Sequence, residues 1–350
     1  MKIGIVGCGM ISGHHLTAAT RYPGNEVVGV VDRDLTRARA QAERFAVKRV
    51  FDNLQELLAL KPDVVHVLTP PVSHRAVVLE ALAGGANVYV EKPMALSVAD
   101  CEAMTGAAIA ANRQLCVGHN WLYSPTVLQA QAMIENGTTG DVVQAAAHYN
   151  YDVRRNTSLG EGHWAKDLPG GIAEDLAVHP VALLVRLLGA PQRAYAISST
   201  SPSVANGKSA DVRALLEAEH GLGTMSVSLR SRPDMGLLDI WCERMVLRLN
   251  ISSMTLTVHR ELPVPRTIGR GLANVDVAAQ LILATASTTW KLLRKKVDGS
   301  YGIVPLIHAF YSALESGKAA PVGPVEGTEA VSVLRSIWPG SELTALRESA

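Results

Sequence analysis

The sequence predicts an α/β protein that begins with a doubly wound parallel sheet and continues into a second domain with an antiparallel sheet. Three observations lead to this fold class. Apolar runs alternate with helix-length segments up to about residue 120, the later apolar runs have a period of two, and 350 residues are too many for one ordinary core. We therefore predict two domains, residues 1–120 and residues 121–350.

Five short runs in the first domain are predicted to be strands. They are apolar almost throughout, as strands buried on both faces of a parallel sheet are. Strands and helices that alternate at this spacing form βαβ units. The predicted strands are Lys2–Val6, Glu26–Val31, Val64–Leu68, Asn87–Val90 and Gln114–Val117, and the predicted helices are Asp34–Ala46, His74–Ala83 and Ser97–Asn112.

The second domain has a different pattern. The runs 225–230 and 254–259 alternate apolar and polar residues, which indicates antiparallel strands with one buried face. The helix Asn274–Lys295 is apolar around most of its circumference, which suggests burial, a subunit interface being one possibility. The remaining elements are predicted as helix Ser124–Asn136, strand Val142–Tyr151, and helices Asn274–Lys295, Val304–Glu315 and Glu326–Trp338.

The composition excludes several classes of protein. With 48% hydrophobic and 19% charged residues the chain is not disordered, and a net charge of +1 gives no electrostatic reason to expect nucleic acid or a membrane as partner. The basic cluster Arg294-Lys295-Lys296 is interpreted as a solvated helix end. No signal peptide or membrane span is apparent, so we expect a cytoplasmic protein. The cysteines, scattered without metal-ligand spacing, predict no metal site.

A glycine-rich turn follows the first strand and opens a helix. In it, Gly7 permits the tight turn and Gly9 lets the backbone approach a pyrophosphate at the positive end of the helix. The turn continues through Met10 and Ile11, which we include in the predicted binding segment. Asp32, at the end of the second strand, can accept hydrogen bonds from a ribose. The alternative is a glycine turn that binds nothing, but the pattern favours a Rossmann domain that binds a dinucleotide.

The residues at the end of the second strand also bear on the choice of cofactor. The carboxylate of Asp32 repels a 2′-phosphate, which favours NAD over NADP. Arg33 follows directly and can instead pair with that phosphate, or lie over the adenine.

Two further motifs lie at predicted strand ends, where open α/β sheets bind their ligands. The first runs from Thr69 and Pro70 to His74, and it is either a stiff turn or a cofactor contact. The second is Glu91-Lys92-Pro93, in which we also predict Glu91 and Lys92 as cofactor contacts. A lysine there can hydrogen-bond a substrate oxygen, whereas a surface ion pair is the alternative.

The segment Gly170–His179 carries a fourth constellation. Its paired glycines allow the backbone to come close to a ligand. Asp175 and His179 are spaced i, i+4 and share one face of a helix, so the carboxylate can orient the imidazole as a general acid/base. Pro180 predicts a kink directly after His179. A purely structural His–Asp pair remains the alternative.

These four motifs, in this order, resemble the glucose–fructose oxidoreductase, inositol dehydrogenase and rhizopine-catabolism (Gfo/Idh/MocA) family. The resemblance spans essentially the whole chain. It implies a Rossmann domain followed by an α/β domain with a large, mostly antiparallel sheet, and a hydride transfer between NAD(P) and a secondary alcohol or ketone of a sugar or cyclitol. It also implies that Lys92, Asp175 and His179 are catalytic, with the substrate in contact with Lys92 and His179.

One segment departs from the family pattern. Residues 118–125 carry Leu122 where an arginine is common, which weakens the case for an anionic group there. Asn120 in the same segment is a predicted substrate contact. The polar loop 149–166, which contains Arg154, Arg155 and His163, can line the substrate side. Trp164 in this loop can stack on a sugar ring or cap the core.

Three hypotheses about function follow. The first is reversible oxidation of a carbohydrate-like small molecule by a homo-oligomeric enzyme, a dimer or a tetramer. The second is redox-neutral cleavage of a glycosidic bond through a transient keto-sugar, which would occur without net NADH. The third is a catalytically silent, NAD-sensing protein, against which the intact set of Lys92, Asp175 and His179 argues.

Overall fold

The computed structural model describes residues 1–154, 163–201, 208–294 and 301–338. Arg155, Lys295 and Lys296 therefore lie outside the described residues. The chain divides into two compact units, of which the first comprises Met1–Asn120 and Gly302–Ser332 and the second comprises Trp121–Tyr301 and the chain from Val333 onward. Residues 302–332, which the sequence places in the second predicted domain, pack in the first unit of the structure.

The first unit is built on a six-stranded parallel sheet with the order β3-β2-β1-β4-β5-β6. The predicted doubly wound parallel sheet is thus confirmed. The strands are β1 (Lys2–Val6), β2 (Glu26–Val31), β3 (Val50–Phe51), β4 (Val64–Val67), β5 (Asn87–Val90) and β6 (Leu115–Val117). Its helices are α1 (Ser12–Arg21), α2 (Leu35–Phe45), α3 (Leu54–Leu58), α4 (His74–Ala83) and α5 (Val98–Ala110), and from the end of the chain α9 (Ile303–Glu315) and most of α10 (Pro324–Ile337).

The local sequence explains how these elements begin and where they are buried. Four strands are buried over most of their length, because both faces of the sheet are covered. Asp34 caps α2 by accepting a hydrogen bond from the amide of Thr36, and Ser97 caps α5 through the amide of Asp100. Helix α9 packs on α1, which lies near the start of the chain. There a ring nitrogen of His308 lies 3.0 Å from the carbonyl of Ala18.

The second unit contains a seven-stranded sheet with the order β13-β12-β11-β7-β10-β9-β8. Only the pair β7 and β10 is parallel, so the predicted mostly antiparallel sheet is confirmed. The strands are β7 (Val142–Asn150), β8 (Pro191–Thr200), β9 (Ser209–Ala218), β10 (Gly221–Ser228), β11 (Met235–Cys242), β12 (Met245–Asn250) and β13 (Thr255–Arg260), and the helices are α6 (Pro125–Glu135), α7 (Ile172–Leu188) and α8 (Arg266–Leu293).

Two helices have contrasting places in this unit. Helix α7 packs on β7, β9 and β10 and is buried along almost its whole length. Helix α8 packs on β13, yet no described side chain of α8 is fully buried. Among the described residues the apolar side chains of α8 are not covered, and the subunit interface expected for this helix stays a prediction. No helix in the described ranges is long and apolar enough to cross a membrane.

Candidate active site

The glycine turn lies at the carboxyl end of β1, between β2 and β4. Gly7 has a φ of +97° and donates its amide hydrogen to the carbonyl of Val31 at 2.8 Å. A Cβ atom on Gly7 would lie 2.7 Å from the carbonyl carbon of Leu68, so both the conformation and the close approach of two strand ends require glycine. This is the tight turn that the sequence predicts.

The next residues leave space above the start of α1. Apart from Gly9 and its two chain neighbours, no described atom lies within 4 Å of the position that a Cβ atom of Gly9 would occupy. Ile11 precedes α1 without a side-chain cap, and the first turn of the helix has no acidic residue, so its positive end is not compensated by a local charge. Met10 is 66% exposed. A pyrophosphate group fits this arrangement, because it can approach the bare backbone at Gly9 and the amide groups of the helix.

The carboxylate of Asp32 is held in place by main-chain donors. One oxygen accepts the amide of Cys8 at 2.7 Å, and the other accepts the amide of Asp34 at 2.8 Å. Carboxylate oxygens have further lone pairs, so both can still accept a ribose hydroxyl. Arg33 beside it is exposed, and the structure shows no contact that decides between its two predicted roles.

The segment from Thr69 to His74 ends in a histidine whose ring holds two stretches of main chain together. His74 is fully buried. Its Nε2 atom lies 2.7 Å from the carbonyl of Thr69, and its Nδ1 atom lies 3.1 Å from the carbonyls of Pro93 and Met94. The ring is therefore enclosed by main chain, which gives His74 a structural role, and its contact with the cofactor stays a prediction. Thr69 is half-buried and Pro70 is exposed at the sheet edge.

Glu91 and Lys92 follow β5 at the same edge of the sheet. Glu91 accepts hydrogen bonds from a ring nitrogen of His15 at 3.1 Å and from the amide of Lys92 at 3.3 Å, and its side chain is 13% exposed. A Cβ atom on Gly118 would lie 2.9 Å from Glu91 Oε1. Glu91 is thus turned into its own unit, where it positions the main chain of Lys92. Lys92 is half-buried.

A buried chain of polar side chains extends behind Glu91, and the sequence analysis missed it. His15 Nδ1 lies 2.9 Å from His66 Nδ1, and His66 Nε2 lies 2.8 Å from the hydroxyl of Tyr311. His15, His66 and Tyr311 are fully buried, and the ring of Tyr89 stacks on His66 at 5.2 Å. His66 interrupts the apolar run of β4, which was the one available signal for this chain.

The pKa shifts define the charge of two members of this chain. Burial raises the pKa of Glu91, but the hydrogen bond and charge of His15, together with Lys92, lower it overall, so Glu91 is a carboxylate. Burial and then the charge of His15 lower the pKa of His66 well below its usual range, so His66 is neutral. His15 therefore donates to Glu91, and the single ring hydrogen of neutral His66 lies on the nitrogen that faces either His15 or Tyr311.

We predict that the chain becomes less stable as the pH falls below about 6.5, the ordinary pKa of histidine. Below that pH His66 takes up a proton in the unfolded chain but stays neutral in the folded one. Its contribution to the free energy of unfolding is therefore complete above that pH, and it falls by about 1.4 kcal/mol for each pH unit below it. Urea titrations at several pH values measure the slope. His66→Gln should flatten it, and the exposed His220→Gln should not; equal slopes in all three proteins would refute the assignment.

Asp175 and His179 lie one turn apart on α7 in the second unit. Both are buried, with exposed fractions of 6% and 9%. The helix is continuous from Ile172 to Leu188 and includes Pro180, so the predicted kink does not interrupt it and His179 stays on the face of Asp175. Asp175, His179 and Lys92, the predicted catalytic set, thus come from two different units.

The imidazole of His179 is flanked by aromatic rings that the sequence analysis did not assign to the site. It stacks on Trp121 with ring centres 4.9 Å apart and planes 18° apart, and it meets the edge of Tyr149 at 6.0 Å. Burial, followed by Tyr151, Tyr301, Asp175 and Asp234, raises the pKa of Tyr149, which keeps its hydroxyl protonated. The stacked indole fixes the plane of the His179 ring.

The paired glycines before α7 serve packing rather than the approach of a ligand. A Cβ atom on Gly170 would lie 2.5 Å from the ring of Trp338, and Gly171 has a φ of +64° at the start of the helix. Glu174 accepts the amide of Gly170 at 2.8 Å and forms a buried ion pair with Arg335. The expectation of backbone near a ligand is therefore corrected at Gly170, because Trp338 fills that space.

The positions of Asn120 and Trp164, the other predicted substrate residues, do not by themselves indicate a contact with a substrate. Asn120 is 7% exposed, and Leu122 beside it is buried in the core, which accounts for an apolar residue there. Trp164 is half-buried in a short 3₁₀ helix, with its ring 5.4 Å from that of His163. Arg154 is held by the carboxylate of Asp152.

Neither a metal nor a reactive thiol is evident in the described part of the chain. No group of histidine, cysteine or acidic residues there could hold a metal ion. The four cysteines are unpaired; Cys8, Cys101 and Cys116 are buried. Burial and the neighbouring Asp32 raise the pKa of Cys8 to about 12, so it is a protonated thiol in the core.

The fold and these residues define the class of the protein. A parallel sheet in the order of a dinucleotide-binding domain, an open glycine turn, and a fixed carboxylate after the second strand are the parts of a nicotinamide-dependent oxidoreductase. Two family models match the chain: "Oxidoreductase family, NAD-binding Rossmann fold" over residues 1–119 and "GFO/IDH/MocA C-terminal domain" over residues 127–248. The chain belongs to the Gfo/Idh/MocA oxidoreductase family, and its cofactor is NAD.

Curated relatives and solved structures agree with this assignment. The chain is 29% identical to the D-apiose dehydrogenase of Paraburkholderia graminis over 85% of this chain and 77% of that protein. It is 35% identical to the inositol 2-dehydrogenase of Gluconacetobacter diazotrophicus, over 45% of this chain and 48% of the relative. The WlbA dehydrogenase of Bordetella pertussis, solved with NADH and UDP-GlcNAcA, shares the fold with a TM-score of 0.78 at 21% identity, covering 97% of this chain and 94% of that one.

Proposed function

We propose that this enzyme oxidises a secondary alcohol of a sugar, cyclitol or sugar derivative, or reduces the corresponding ketone. The observation that carries the proposal is His179, buried one turn from Asp175 and stacked on Trp121. An imidazole held in this way is suited to proton exchange with a hydroxyl group. Relatives named as apiose and inositol dehydrogenases support a carbohydrate-like substrate.

The proposed roles divide the proton chemistry among three side chains. A ring nitrogen of His179 takes the hydroxyl proton during oxidation and returns it during reduction. Asp175 orients that ring, and the Lys92 ammonium group donates a hydrogen bond to the substrate oxygen. When bound, the nicotinamide ring accepts or returns the hydride. Glu91, fixed by His15, keeps the Lys92 main chain at the sheet edge. Asn120 and Trp164 remain proposed substrate contacts.

A substrate panel tests this proposal. The purified protein is incubated with aldoses, uronic acids, glycosides and inositols, each with NAD and with NADP, and NADH is followed by absorbance. We expect NADH formation with at least one polyol or sugar. Cleavage of a glycoside without net NADH would instead assign the redox-neutral reaction, and cofactor binding without turnover of any member would favour a silent NAD-binding protein.

We also propose that the binding turn selects NAD against NADP through Asp32. Asp32→Asn keeps an acceptor for the amide of Cys8 but removes the charge. Because like charges placed together cost several kcal/mol, we expect the preference for NAD, as a ratio of kcat/KM values, to fall at least tenfold. Arg33→Ala is the companion variant and should leave that ratio nearly unchanged. A wild-type enzyme that already prefers NADP would assign control to Arg33 instead.

Two broader proposals concern the state of the protein in the cell. We propose a cytoplasmic homo-oligomer, a dimer or a tetramer. Exposed apolar residues on the second sheet support it, since Tyr195 and Ile197 on the edge strand β8 are 59% and 83% exposed. Light scattering after size exclusion measures the mass, and a monomer at micromolar concentration would contradict the proposal.

A further inference from the structure

The helix α8 turns a polar side toward its own sheet and an apolar side outward. Its sheet-facing side carries small and polar residues: the Gln280 amide bonds both the amide and the carbonyl of Val258, at 2.7 and 3.0 Å, and Thr288 donates to the carbonyl of Met254 at 3.0 Å. A surface helix normally turns its apolar stripe toward its own core. In α8 the polar side chains of Gln280 and Thr288 instead form hydrogen bonds with the domain's own sheet, and large apolar side chains face outward.

The outward side is a continuous apolar stripe. Steps of three or four residues connect its members along seven turns, so they share one side of the helix. The six large apolar residues of the stripe are between 45% and 75% exposed, on the order of 700 Å² in all, whereas the largest patch on a typical monomer is about 300–600 Å². The members of the stripe are Ile268, Leu272, Val275, Ala279, Ile282, Ala286, Trp290 and Leu293.

The charges on α8 itself are mostly basic. Between positions 266 and 294 the sequence has four basic residues and one acid, although the whole chain has a net charge of only +1; Glu261 and Asp298 lie beyond the two ends. The acid on the helix, Asp276, accepts a hydrogen bond from Gln280 at 2.9 Å, on the sheet side. The Arg294 guanidinium lies 4.3 Å from the centre of the Trp290 ring at the end of the stripe. The basic residues of the helix are Arg266, whose side chain lies outside the described part of the chain, Arg270, Lys291 and Arg294.

This distribution of charge favours an anionic occupant of the stripe. Arg270 lies toward the first end of α8 and Lys291 and Arg294 lie toward the second, so pairing with the same helix of a second copy brings like charges together whether the helices run parallel or antiparallel. The flanks of the stripe also offer none of the acidic partners that a helix pair uses. An anionic bilayer surface attracts both ends at once and accepts the apolar stripe among its acyl chains, with the tryptophan at the polar boundary.

We propose that α8 is a docking surface for anionic lipid bilayers. The helix lies in the plane of the interface with its stripe inserted, held by the basic residues at its ends, and it does not span the bilayer. This proposal replaces the expectation from the net charge that no membrane is a partner, since a charge of +1 averaged over 350 residues conceals a local excess. It is independent of the proposed reaction.

Vesicle flotation of the full-length protein tests the proposal. One set of vesicles is phosphatidylcholine alone, and the other is one part phosphatidylglycerol to three parts phosphatidylcholine. We expect the wild type to float with the anionic vesicles at least tenfold more than with the neutral ones, and high salt to weaken this binding. Equal binding to both sets, or none to either, would overturn the proposal, and this comparison needs no variant.

Two variants separate the apolar and the basic contributions. Ile282→Ser combined with Leu293→Ser, and Lys291→Glu combined with Arg294→Glu, should each reduce flotation at least tenfold. The matched control, Ile109→Ser with Val325→Ser, removes exposed apolar residues elsewhere and should float like the wild type. Thermal unfolding checks that all variants are folded. The lipid proposal is wrong if the wild type does not bind vesicles and light scattering shows that the α8 serine variant breaks an oligomer. The stripe is then the contact surface for a second copy.

Discussion

His179→Ala should lower turnover by two to four orders of magnitude while the protein stays folded and still binds NAD. The imidazole is the group that we assign to proton transfer, and positioned acid/base groups contribute about that much. Its predicted contacts are with the substrate, whereas NAD is assigned to the glycine turn and Asp32, so the cofactor dissociation constant should change little. Steady-state kinetics and NAD titration measure the two quantities.

Several variants make this result specific. Asp175→Asn should also lower turnover, because an amide orients the imidazole less well and does not stabilise its charged form. Lys92→Ala should be at least as damaging as His179→Ala, since it removes a charge and a donor from the substrate oxygen. His220→Ala, an exposed histidine in the same unit, is the control and should behave like the wild type.

The pH profile distinguishes a proton-transfer role from a packing role. If His179 exchanges the proton, its replacement should remove one limb of the profile of kcat/KM, whereas loss of packing lowers the whole curve without changing its shape. Trp121→Phe keeps an aromatic ring against His179 and should retain most of the activity. Near-normal turnover in folded His179→Ala would leave Lys92 as the group that transfers the proton.

The first sheet could be predicted closely because its sequence signals are local. Continuous apolar runs give the strands, and residues such as Asp34 and Ser97 cap the helices that follow. Strand β8 gave no signal, because it is an edge strand that is exposed along most of its length and needs no alternation of apolar residues. Strand β3 has only two residues, which is too short for a periodic pattern.

Which core a helix joins is not a local property, and this explains the misassigned end of the chain. Helices α9 and α10 were expected from their periodicity, but an apolar stripe does not identify the surface that covers it. In the structure Tyr311 of α9 reaches His66, and a Cβ atom on Gly327 of α10 would lie 2.8 Å from the sulfur of Met94, so residues 302–332 complete the first unit.

Residues of the candidate site could be predicted where they belong to one short motif, and they could not be predicted where their partners are distant in the sequence. The glycine turn, Asp32, Lys92 and the pair on α7 follow from spacing. The contact of His15 with Glu91 joins residues that are 76 positions apart, and that of His66 with Tyr311 joins residues 245 apart. A histidine inside a strand indicates only a polar residue in the core until its partner is known.

Arg335→Met should lower the free energy of unfolding by about 3–5 kcal/mol, the largest effect on stability that we expect from a single substitution outside the proposed catalytic residues. Glu174 is 3% exposed, and Arg335 is the cation that faces it. Removal of Arg335 leaves the carboxylate buried without its counter-charge, and burial of an unpaired charge is strongly unfavourable. Chemical denaturation followed by circular dichroism measures the change.

The double variant Glu174→Gln with Arg335→Met shows whether the unpaired charge is the cause. Glutamine is neutral and keeps an oxygen that can accept the amide of Gly170, so the double variant should recover most of the lost stability. Arg248→Met is the control, because its ion pair with Asp239 is on the surface and should be worth less than about 1 kcal/mol. A double variant no more stable than Arg335→Met alone would show that the arginine acts through its packing, since the loss would then persist after the charge is removed.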